Sequence, residues 1–489
     1  SVSNENVNTT KRKEPETAED RMETDNNNAS ANSAAPILTG EDFSGQDRVG
    51  HDLTDSKRVK VEQQIAAIPD IQPGLKYFWI TKFSGASASE KAEILSTFAS
   101  VAVSVVRSVM SGSHSASLNM GIAGGVKYFA KGLFIKFIQP GRHVRFYGTL
   151  EKAMKSAGNE LTALRAMYPE GTKEELNFPL MAIVDYCGWR ALALSELPID
   201  KDTTFVYGSN SGPSGPFRKR IPSVTDRMDR MLKNLNLKMQ DFPTLAQFRG
   251  PVDLEAHVGT DGKTYVLDLA RVMPPNDING NQMFKLFRPE FVKAYPLELP
   301  TEYSSNYPSD EFVAAIQFYN STTIPKAAQE VNKLCDEFSP IEQIISILHF
   351  QGVNLRNMGD VCLLVKDHIK PIFVTEMLAR CLKHQVRQVM RSVQPTPETL
   401  KQPILDYFNT KFFTTDTTYW RLWQQILDSN FFTPKQTIDL IAMRESIPCV
   451  VVFVRVCELT GIKFNKDVQE RINGWSLEEP LTENDFRTK

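Results

Sequence analysis

Residues 250–275 read GPVDLEAHVGTDGKTYVLDLARVMPP, and this stretch decides the fold of the middle of the chain. Apolar and polar residues alternate up to residue 258, and a β-prone run follows at 264–269. Asp261 and Gly262 stand between the two runs, where a tight turn needs the positive φ angles that glycine tolerates. The sequence therefore predicts an antiparallel β-hairpin that ends at Pro274 and Pro275.

Short β-prone runs and one helix precede this hairpin. Gly188 separates the first two runs, which favours a tight antiparallel connection between them. A helix is predicted at 225–239, with Met228, Met231, Leu232 and Leu235 on one face. The runs lie at 180–186, 189–196 and 204–207. Together these features predict a strand-rich region over residues 178–305.

The chain downstream of this region has helical periodicity with short polar connections. Helices are predicted at 309–318, 324–338, 341–350, 372–391, 396–409, 419–429, 434–444 and 450–459. We therefore predict an α+β protein, in which a strand-rich antiparallel domain is followed by an all-helical bundle over 306–475 and a tail over 476–489.

The N-terminal part of the chain divides into a tail and a lead-in region. Residues 1–40 lack aromatic residues and are rich in Asn, Ser and Thr, which predicts a disordered polar tail. The lead-in over 41–177 combines β-prone residues at 75–83 with an apolar helix at 94–109, for which Ser87 or Ser89 is the expected cap. The apolar stretches 94–110 and 447–459 are interrupted by polar residues, so each is interpreted as a buried helix rather than a transmembrane segment.

Composition excludes several classes of protein. The hydrophobic fraction of 41% is ordinary for a globular chain of 489 residues, which excludes a wholly disordered or polytopic membrane protein. A net charge of -2 means that nucleic acid could be bound only by a local basic patch. The six cysteines form no C-x-x-C pair, and no secretory signal opens the chain, so we expect a cytoplasmic protein with reduced thiols and no metal or cofactor.

Several ordered motifs resemble the Clu (clustered mitochondria) domain family. The hairpin fits that family's G-x-D-G-x-x-Y-x-L-D-x-x-R-x-x-P-P pattern, and VDYCGWRALALSELPI at 184–199 and LFRPEFVKAY at 286–295 are similar to other family segments. The helical stretch EMLARCLKHQVRQVMR at 376–391 resembles a region shared with a subunit of translation initiation factor 3. The matching motif positions are Gly259, Asp261, Gly262, Tyr265, Leu267, Asp268, Arg271, Pro274 and Pro275.

The resemblance implies a function as well as a fold. It implies a non-enzymatic protein that acts in mitochondrial distribution and binds mRNAs of nuclear-encoded mitochondrial proteins. Its expected partners are mRNA, the translation machinery and, indirectly, mitochondria. The tetratricopeptide repeats of full-length family members do not occur in this sequence, so the chain is either a short relative or a fragment.

Two basic groups are candidate RNA-binding surfaces. The first is a stripe on the predicted helix 372–391, and the second is a cluster beside Phe217 in a Gly- and Pro-rich loop. Either group could equally be a solvated face that keeps the protein soluble. The stripe comprises Arg380, Lys383, Arg387 and Arg391, and the loop cluster comprises Arg218, Lys219 and Arg220.

Asp268 suggests a different class of function. It follows a strand where a kinase-like fold places a metal-binding carboxylate, with Asp253 or Glu255 as further ligands. However, the sequence contains no G-x-G-x-x-G loop or P-loop, so a phosphotransferase would be cryptic or degenerate. The structural interpretation is that Asp268 pairs with Arg271 or caps a turn. A third hypothesis is a scaffold that contacts translation initiation factors through the helical half.

Overall fold

A computed structural model describes most of the chain from residue 77 onward. The described residues are 77–112, 118–119, 126–140, 142–200, 203–209, 217–242, 245–277, 284–301, 309–393, 396–433 and 436–487. The predicted disordered tail over 1–40 lies outside them.

The strands are β1 (Leu118–Asn119), β2 (Val126–Ala130), β3 (Leu133–Ile138), β4 (Leu176–Asn177), β5 (Met181–Tyr186), β6 (Trp189–Ser195), β7 (Phe205–Gly208), β8 (Arg218–Lys219), β9 (Met239–Phe242), β10 (Leu245–Arg249), β11 (Glu255–Val258), β12 (Thr264–Leu267), β13 (Ile472–Asn473) and β14 (Ser476–Leu477). The α-helices are α1 (Phe78–Ser84), α2 (Ala88–Met110), α3 (Arg142–Tyr147), α4 (Leu150–Lys173), α5 (Pro222–Asn234), α6 (Pro289–Ala294), α7 (Asp310–Phe318), α8 (Ile324–Leu334), α9 (Ile341–Phe350), α10 (Met358–Cys362), α11 (Lys370–Arg391), α12 (Pro397–Tyr407), α13 (Thr417–Phe431), α14 (Cys449–Thr460) and α15 (Asp467–Glu470).

The aromatic stretch at the start of the described chain is helical, so its β-prone composition is misleading. Trp79, Ile80 and Phe83 lie on one side of α1 and are buried. The Trp79 ring packs edge-on against Phe98 of α2, with 5.3 Å between ring centroids. This contact needs the spacing of a helix, and tertiary packing therefore overrides the local preference for a strand. The predicted cap of α2 is confirmed at Ser87, whose hydroxyl accepts a hydrogen bond from the backbone N–H three residues later.

The first sheet combines strands from the lead-in and the strand-rich region. Its order is β1-β2-β3-β6-β5, and all neighbours are antiparallel. Cys187 and Gly188 form the tight connection between β5 and β6 with φ angles of 53° and 83°, which confirms the predicted turn. Since β2 and β3 belong to this sheet, the predicted boundary between residues 177 and 178 falls inside it.

Helix α2 covers one face of the first sheet. Its buried residues include Phe98, Val101 and Val105, which share a core with Leu133 and Val184 of the sheet. Among the described residues, α2 is also the one helix that is long and apolar enough to cross a membrane. Its apolar side packs against protein here, as the sequence interpretation of a buried helix expects.

The second sheet contains the predicted hairpin. Its order is β4-β12-β11-β7-β8, and the hairpin β11–β12 pairs Glu255 with Leu267 and Val258 with Thr264. All pairs are antiparallel except β4 with β12. Helix α5 is shorter than predicted, because Asn236 takes a left-handed φ of 65° just after it. The Asn236 side chain donates hydrogen bonds to the carbonyls of Val292 and Tyr295, which fixes this ending.

The helical half is arranged around α11, which packs against α10, α12, α13 and α14. The predicted helix at 434–444 is wrong: its described part is irregular at 436–439, forms turns at 440–443 and reaches the start of a short 3₁₀ segment, Arg444–Ser446. The side chain of Gln424 explains the difference, because it donates to the Ile438 carbonyl and accepts from the Leu440 N–H. These bonds satisfy backbone groups that a helix would otherwise pair.

The predicted tail over 476–489 belongs to the fold as far as residue 487. Leu481 is buried, and its N–H donates to the side chain of Asn409 over 2.8 Å. The rings of Phe464 and Phe486 stack with 4.8 Å between centroids. The C-terminal segment therefore closes over the end of the helical bundle.

Candidate functional site at the junction of sheets and helices

The turn of the β11–β12 hairpin is built from the motif positions. Asp261 accepts a hydrogen bond from the hydroxyl of Tyr265 over 2.7 Å and from the Lys263 N–H over 3.2 Å. Gly262 has a φ of 78°, which favours glycine. A Cβ on Gly259 would lie 2.7 Å from Asp261 and 2.9 Å from Tyr265, so a side chain does not fit there. The four motif positions of the turn are therefore determinants of the fold, namely Gly259, Asp261, Gly262 and Tyr265.

The end of the hairpin is fixed by a different set of contacts. The Nε of Arg271 donates a hydrogen bond to the Asp253 carboxylate over 2.9 Å, and its Nη2 forms an ion pair with the other carboxylate oxygen at 2.8 Å. The carbonyl of Pro274 accepts from the Phe287 N–H over 2.8 Å, and Pro275 forms a bridge to Leu286. The motif thus ties the hairpin to the segment that leads into the helical half.

Asp268 has a strained backbone and a partner that the sequence did not reveal. Its φ is 55°, which is uncommon for a residue other than glycine. Its carboxylate lies 3.2 Å from the Nζ of Lys136 on β3. The predicted pairing of Asp268 with Arg271 is therefore wrong, since Arg271 pairs with Asp253. The Lys136 contact joins the first sheet to the second.

Glu160 of α4 is the third charged residue of this cluster. Its carboxylate accepts from the Leu269 N–H over 2.8 Å and is almost fully buried. Burial raises the pKa of Glu160 to about 7, with Lys136 opposing the rise and Asp268 adding to it. Burial by itself would lower the pKa of Lys136, but Asp268 and Glu160 outweigh it and hold that pKa above its usual value. The cluster is a lysine held between two carboxylates.

Within the described chain, no group of three or more His, Cys, Asp or Glu side chains is arranged to hold a metal ion. Glu255 contacts His257 at 3.3 Å, and Asp253 is occupied by Arg271. The carboxylates named as metal ligands in the phosphotransferase hypothesis are thus engaged by basic side chains instead.

The basic stripe predicted on helix 372–391 lies inside the protein. Lys383 and Arg387 are each 5% exposed, and the side chains of Arg380 and Arg391 are 11% exposed. The helix α11 packs on several neighbours, so its charged side is covered rather than solvated. The expectation of a solvent-facing stripe is therefore corrected, because these side chains already bind partners within the chain.

Arg387 connects the helical half to the first sheet. Its Nη2 donates to the Asp185 carboxylate over 2.9 Å and to the Leu459 carbonyl over 3.2 Å. Arg190 binds the same carboxylate through Nε and Nη2, at 2.6 and 2.7 Å. A Cβ on Gly188 would approach the Arg387 carbonyl oxygen to 2.5 Å, so the glycine lets the β5–β6 turn contact α11.

The other two arginines of the stripe extend this junction. Arg391 donates to the Gly188 carbonyl over 2.8 Å and to the Glu151 carboxylate over 2.7 Å. Although burial opposes it, contacts with His384 and Arg391 hold the pKa of Glu151 well below its usual range. Arg380 shares the buried Glu376 carboxylate with Arg455 of α14. The stripe is thus an internal ion-pair network.

The second basic cluster is closer to solvent. Arg218 and Lys219 form β8, the edge strand of the second sheet, and Arg220 is exposed. The Arg218 guanidinium lies over the Phe205 ring at 4.6 Å, and the Lys219 ammonium donates to the Gln247 carbonyl. Phe217, considered as a stacking surface for a base, stacks on Phe248 instead, with 4.4 Å between centroids.

The architecture described above matches two family models in succession. Residues 85–279 match the family described as Clustered mitochondria, a range that holds the first sheet, the hairpin and the Lys136 cluster. Residues 85–279 therefore resemble a Clu domain. Residues 340–436 match the family described as Translation initiation factor eIF3 subunit 135, a range that begins just before α9 and ends after α13.

Relatives with related names match part of this chain. The Clustered mitochondria protein of Arabidopsis thaliana is 31% identical over 153 residues, which is 29% of this chain and 10% of the relative. The Clustered mitochondria protein homolog of Homo sapiens is 29% identical over 143 residues, or 28% of this chain and 11% of the relative. The chain therefore spans about a tenth of the length of these curated relatives. No solved structure matches the chain.

Proposed function

We propose that this Clu-domain protein acts in the cytoplasm without catalysis, in mitochondrial distribution and in binding the mRNAs of mitochondrial proteins. The observation that carries the proposal is the match of residues 85–279 to the clustered-mitochondria family. The turn residues from Gly259 to Tyr265 stabilise the hairpin, so the proposal gives them a structural role. None of them is held in a constellation of nucleophile and base.

The RNA-binding part of the proposal rests on the second basic cluster. Arg220 is exposed at the edge of the second sheet, beside the half-buried Arg218 and Lys219. Basic side chains on an edge strand gain affinity for a polyanion by releasing counterions from its phosphates. The buried stripe on α11 has no part in this surface.

A salt titration of RNA binding tests this surface. The double variant Lys219→Gln with Arg220→Gln should reduce the slope of log affinity against log salt concentration by about 1.4, at about 0.7 per contact with single-stranded RNA. The matched control is Lys326→Gln with Arg421→Gln, two exposed cations in the helical half. No binding of a mitochondrial-protein mRNA fragment at low salt, or equal slopes for both double variants, would count against RNA binding here.

The match of residues 340–436 favours a second partner, the translation initiation machinery. This proposal concerns the helices from α9 to α13. A pull-down from lysate with the full chain should recover initiation factor 3 subunits, and nuclease treatment separates direct contact from association through RNA. Recovery of none of these subunits would remove the scaffold proposal.

One observation keeps a cryptic phosphotransferase as an alternative. Lys136 contacts Asp268 with Glu160 behind it, and kinases also use a lysine, a helical glutamate and a metal-binding aspartate. Thermal unfolding with ATP and Mg²⁺ tests this alternative. A magnesium-dependent rise in the melting temperature that Asp268→Asn abolishes would support it, and an unchanged melting temperature would end it.

A further inference from the structure

A basic cavity lies where the Clu domain meets the helical half. Its volume is about 360 Å³, and its walls come from α2, α4, the first sheet, the segment after β12, α9 and α11. Among the described residues that line it, none is Asp or Glu. The basic side chains in its walls are Lys155, Arg190, Arg288, His349, Arg356 and Arg380. We name this space the basic chamber.

Three of the arginines in the chamber walls are paired with carboxylates that do not line the chamber. Asp185 accepts from both Arg190 and Arg387, so two guanidinium groups share one carboxylate. Glu376 is shared in the same way by Arg380 and Arg455. Arg288 is paired with Glu290 at 3.1 Å from Nε, so Arg356 is the wall arginine for which the described chain shows no carboxylate at ion-pair distance.

Arg356 adds a cation that is held by a neutral group. Its Nη2 donates to the Leu286 carbonyl over 3.3 Å, and no carboxylate in the described chain pairs with it. Burial lowers the pKa of Arg356, while Tyr319 and Asp277 oppose that shift. A guanidinium presents its donors in a planar fork, which suits two oxygens of one phosphate group.

The imidazole of His349 has an unused hydrogen-bonding group. The residue is 3% exposed, and its Nδ1 is buried without a hydrogen-bond partner in the described chain. Burial, together with the charges of Arg288, Arg380 and Arg165, lowers the pKa of His349 to about 3. The imidazole is therefore neutral at physiological pH and can offer an N–H to an anion. Buried polar groups of this kind are normally paired, so the orphaned nitrogen needs an explanation.

We propose that the basic chamber binds a small anion that carries more than one phosphate group. The basic lining without a carboxylate, the carbonyl-held Arg356 and the orphaned Nδ1 of His349 all favour such a ligand. The volume is in the usual range for a small-molecule site. This site differs from the edge-strand surface at Arg220, so it does not depend on RNA binding.

Two kinds of ligand would present the same phosphate groups to the chamber. A second cavity of about 520 Å³ shares Leu95, Leu161, Met181 and Arg288 with the basic chamber, and its further walls are largely apolar. The anion is thus either a free polyphosphate or the headgroup of a lipid whose chain occupies the apolar cavity. The probes below distinguish the two.

Calorimetry and thermal unfolding of the full chain test the chamber. Pyrophosphate and inositol hexakisphosphate should each raise the melting temperature saturably, beyond NaCl at the same ionic strength. Arg356→Gln should weaken binding at least about tenfold, which corresponds to about 1.4 kcal/mol. Arg421→Gln, an exposed arginine of α13, is the matched control and should bind as the unaltered protein does.

A second variant avoids any loss of charge. Ala99 of α2 lines the chamber, and Ala99→Met should fill part of it and weaken binding while all cations remain. No saturable effect of either probe on the unaltered protein, or unchanged affinity in both Arg356→Gln and Ala99→Met, would overturn the site. Loss of binding in Lys219→Gln with Arg220→Gln would also overturn it, because those residues lie outside the chamber.

Two further probes identify the ligand. A soluble phosphoinositide with eight-carbon chains should bind more tightly than its four-carbon analogue if the apolar cavity holds a chain, and equally if the ligand is a free polyphosphate. A single-stranded RNA that binds through Arg356 while both small probes fail would replace the proposal with a nucleic-acid site.

Discussion

Arg387 of α11 and Asp185 of β5 are 202 residues apart in sequence and 2.9 Å apart in the structure. Both side chains are buried, and Asp185 also binds Arg190. A buried charge that loses its partner is strongly destabilising, whereas the intact pair is close to neutral against apolar replacements. The junction between the first sheet and the helical half therefore depends on matched charges.

Removing either partner should destabilise the protein by different amounts. Arg387→Met leaves Asp185 paired with Arg190 and should lower the free energy of unfolding by about 3 kcal/mol. Asp185→Asn leaves two buried guanidinium groups without their carboxylate and should lower it by about 5 kcal/mol. Urea unfolding measures both values, and Arg421→Met is the control on an exposed face. An Asp185→Asn cost smaller than that of Arg387→Met would contradict the shared-carboxylate arrangement.

Two glycines with similar backbones should respond differently to alanine. Gly262 has a φ of 78° with open space around an added Cβ, so Gly262→Ala should cost only the left-handed conformation, about 1–2 kcal/mol. Gly188 has a φ of 83°, and its added Cβ would lie 2.5 Å from the Arg387 carbonyl oxygen. Gly188→Ala should therefore be the more destabilising of the two in urea. Equal losses of unfolding free energy in the two variants would show that the β5–β6 turn can move away from α11.

His349 should make stability fall on acidification. Its folded pKa of about 3 is below the ordinary value of 6.5, so its contribution is complete above pH 6.5 and is lost as pH falls towards 3. In that window the unfolded state takes up a proton that the folded state does not, at about 1.4 kcal/mol per pH unit. His349→Gln should flatten the dependence of unfolding free energy on pH between 4 and about 6.5. The exposed His368→Gln is the control, and equal slopes for His349→Gln and the unaltered protein would refute the effect.

Glu160 should act in the opposite direction. Its folded pKa of about 7 lies above the ordinary 4.5, so its contribution is complete below pH 4.5 and is lost as pH rises through 7. Glu160→Gln keeps an oxygen for the Leu269 N–H and removes the titration. The variant should gain stability relative to the unaltered protein between pH 4.5 and 7, as measured by urea unfolding at several pH values. A stability difference that does not change with pH would show that Glu160 is ionised throughout.

The sequence was sufficient where local chemistry decides the structure. The hairpin, the cap at Ser87 and the turn at Gly188 each depend on residues within a few positions of one another, and all three are confirmed. The errors lie where distant residues decide. The strand preference at Trp79 yields to packing on α2, and the helix predicted at 434–444 yields to the side chain of Gln424.

The candidate site was harder to predict than the fold, because its residues are far apart in sequence. Charges at helical spacing on α11 indicated a stripe, but its partner Asp185 lies in another half of the chain. Lys136 stands in the strand LFIKFI with nothing nearby to mark its role, and only the folded chain brings it to Asp268. The basic chamber takes its walls from several elements, and no local pattern of residues could have predicted it.

The separation of Asp185 and Arg387 also has a consequence for synthesis. At about 5–20 residues per second, about 10–40 seconds pass between the emergence of one residue and the other from the ribosome. During that interval the carboxylate of Asp185 has Arg190 but lacks its guanidinium on α11. The first sheet of the nascent chain must therefore persist while the surface around Asp185 is not yet covered by α11. A pause in translation before α11 would prolong the exposure of this surface to chaperones and to aggregation.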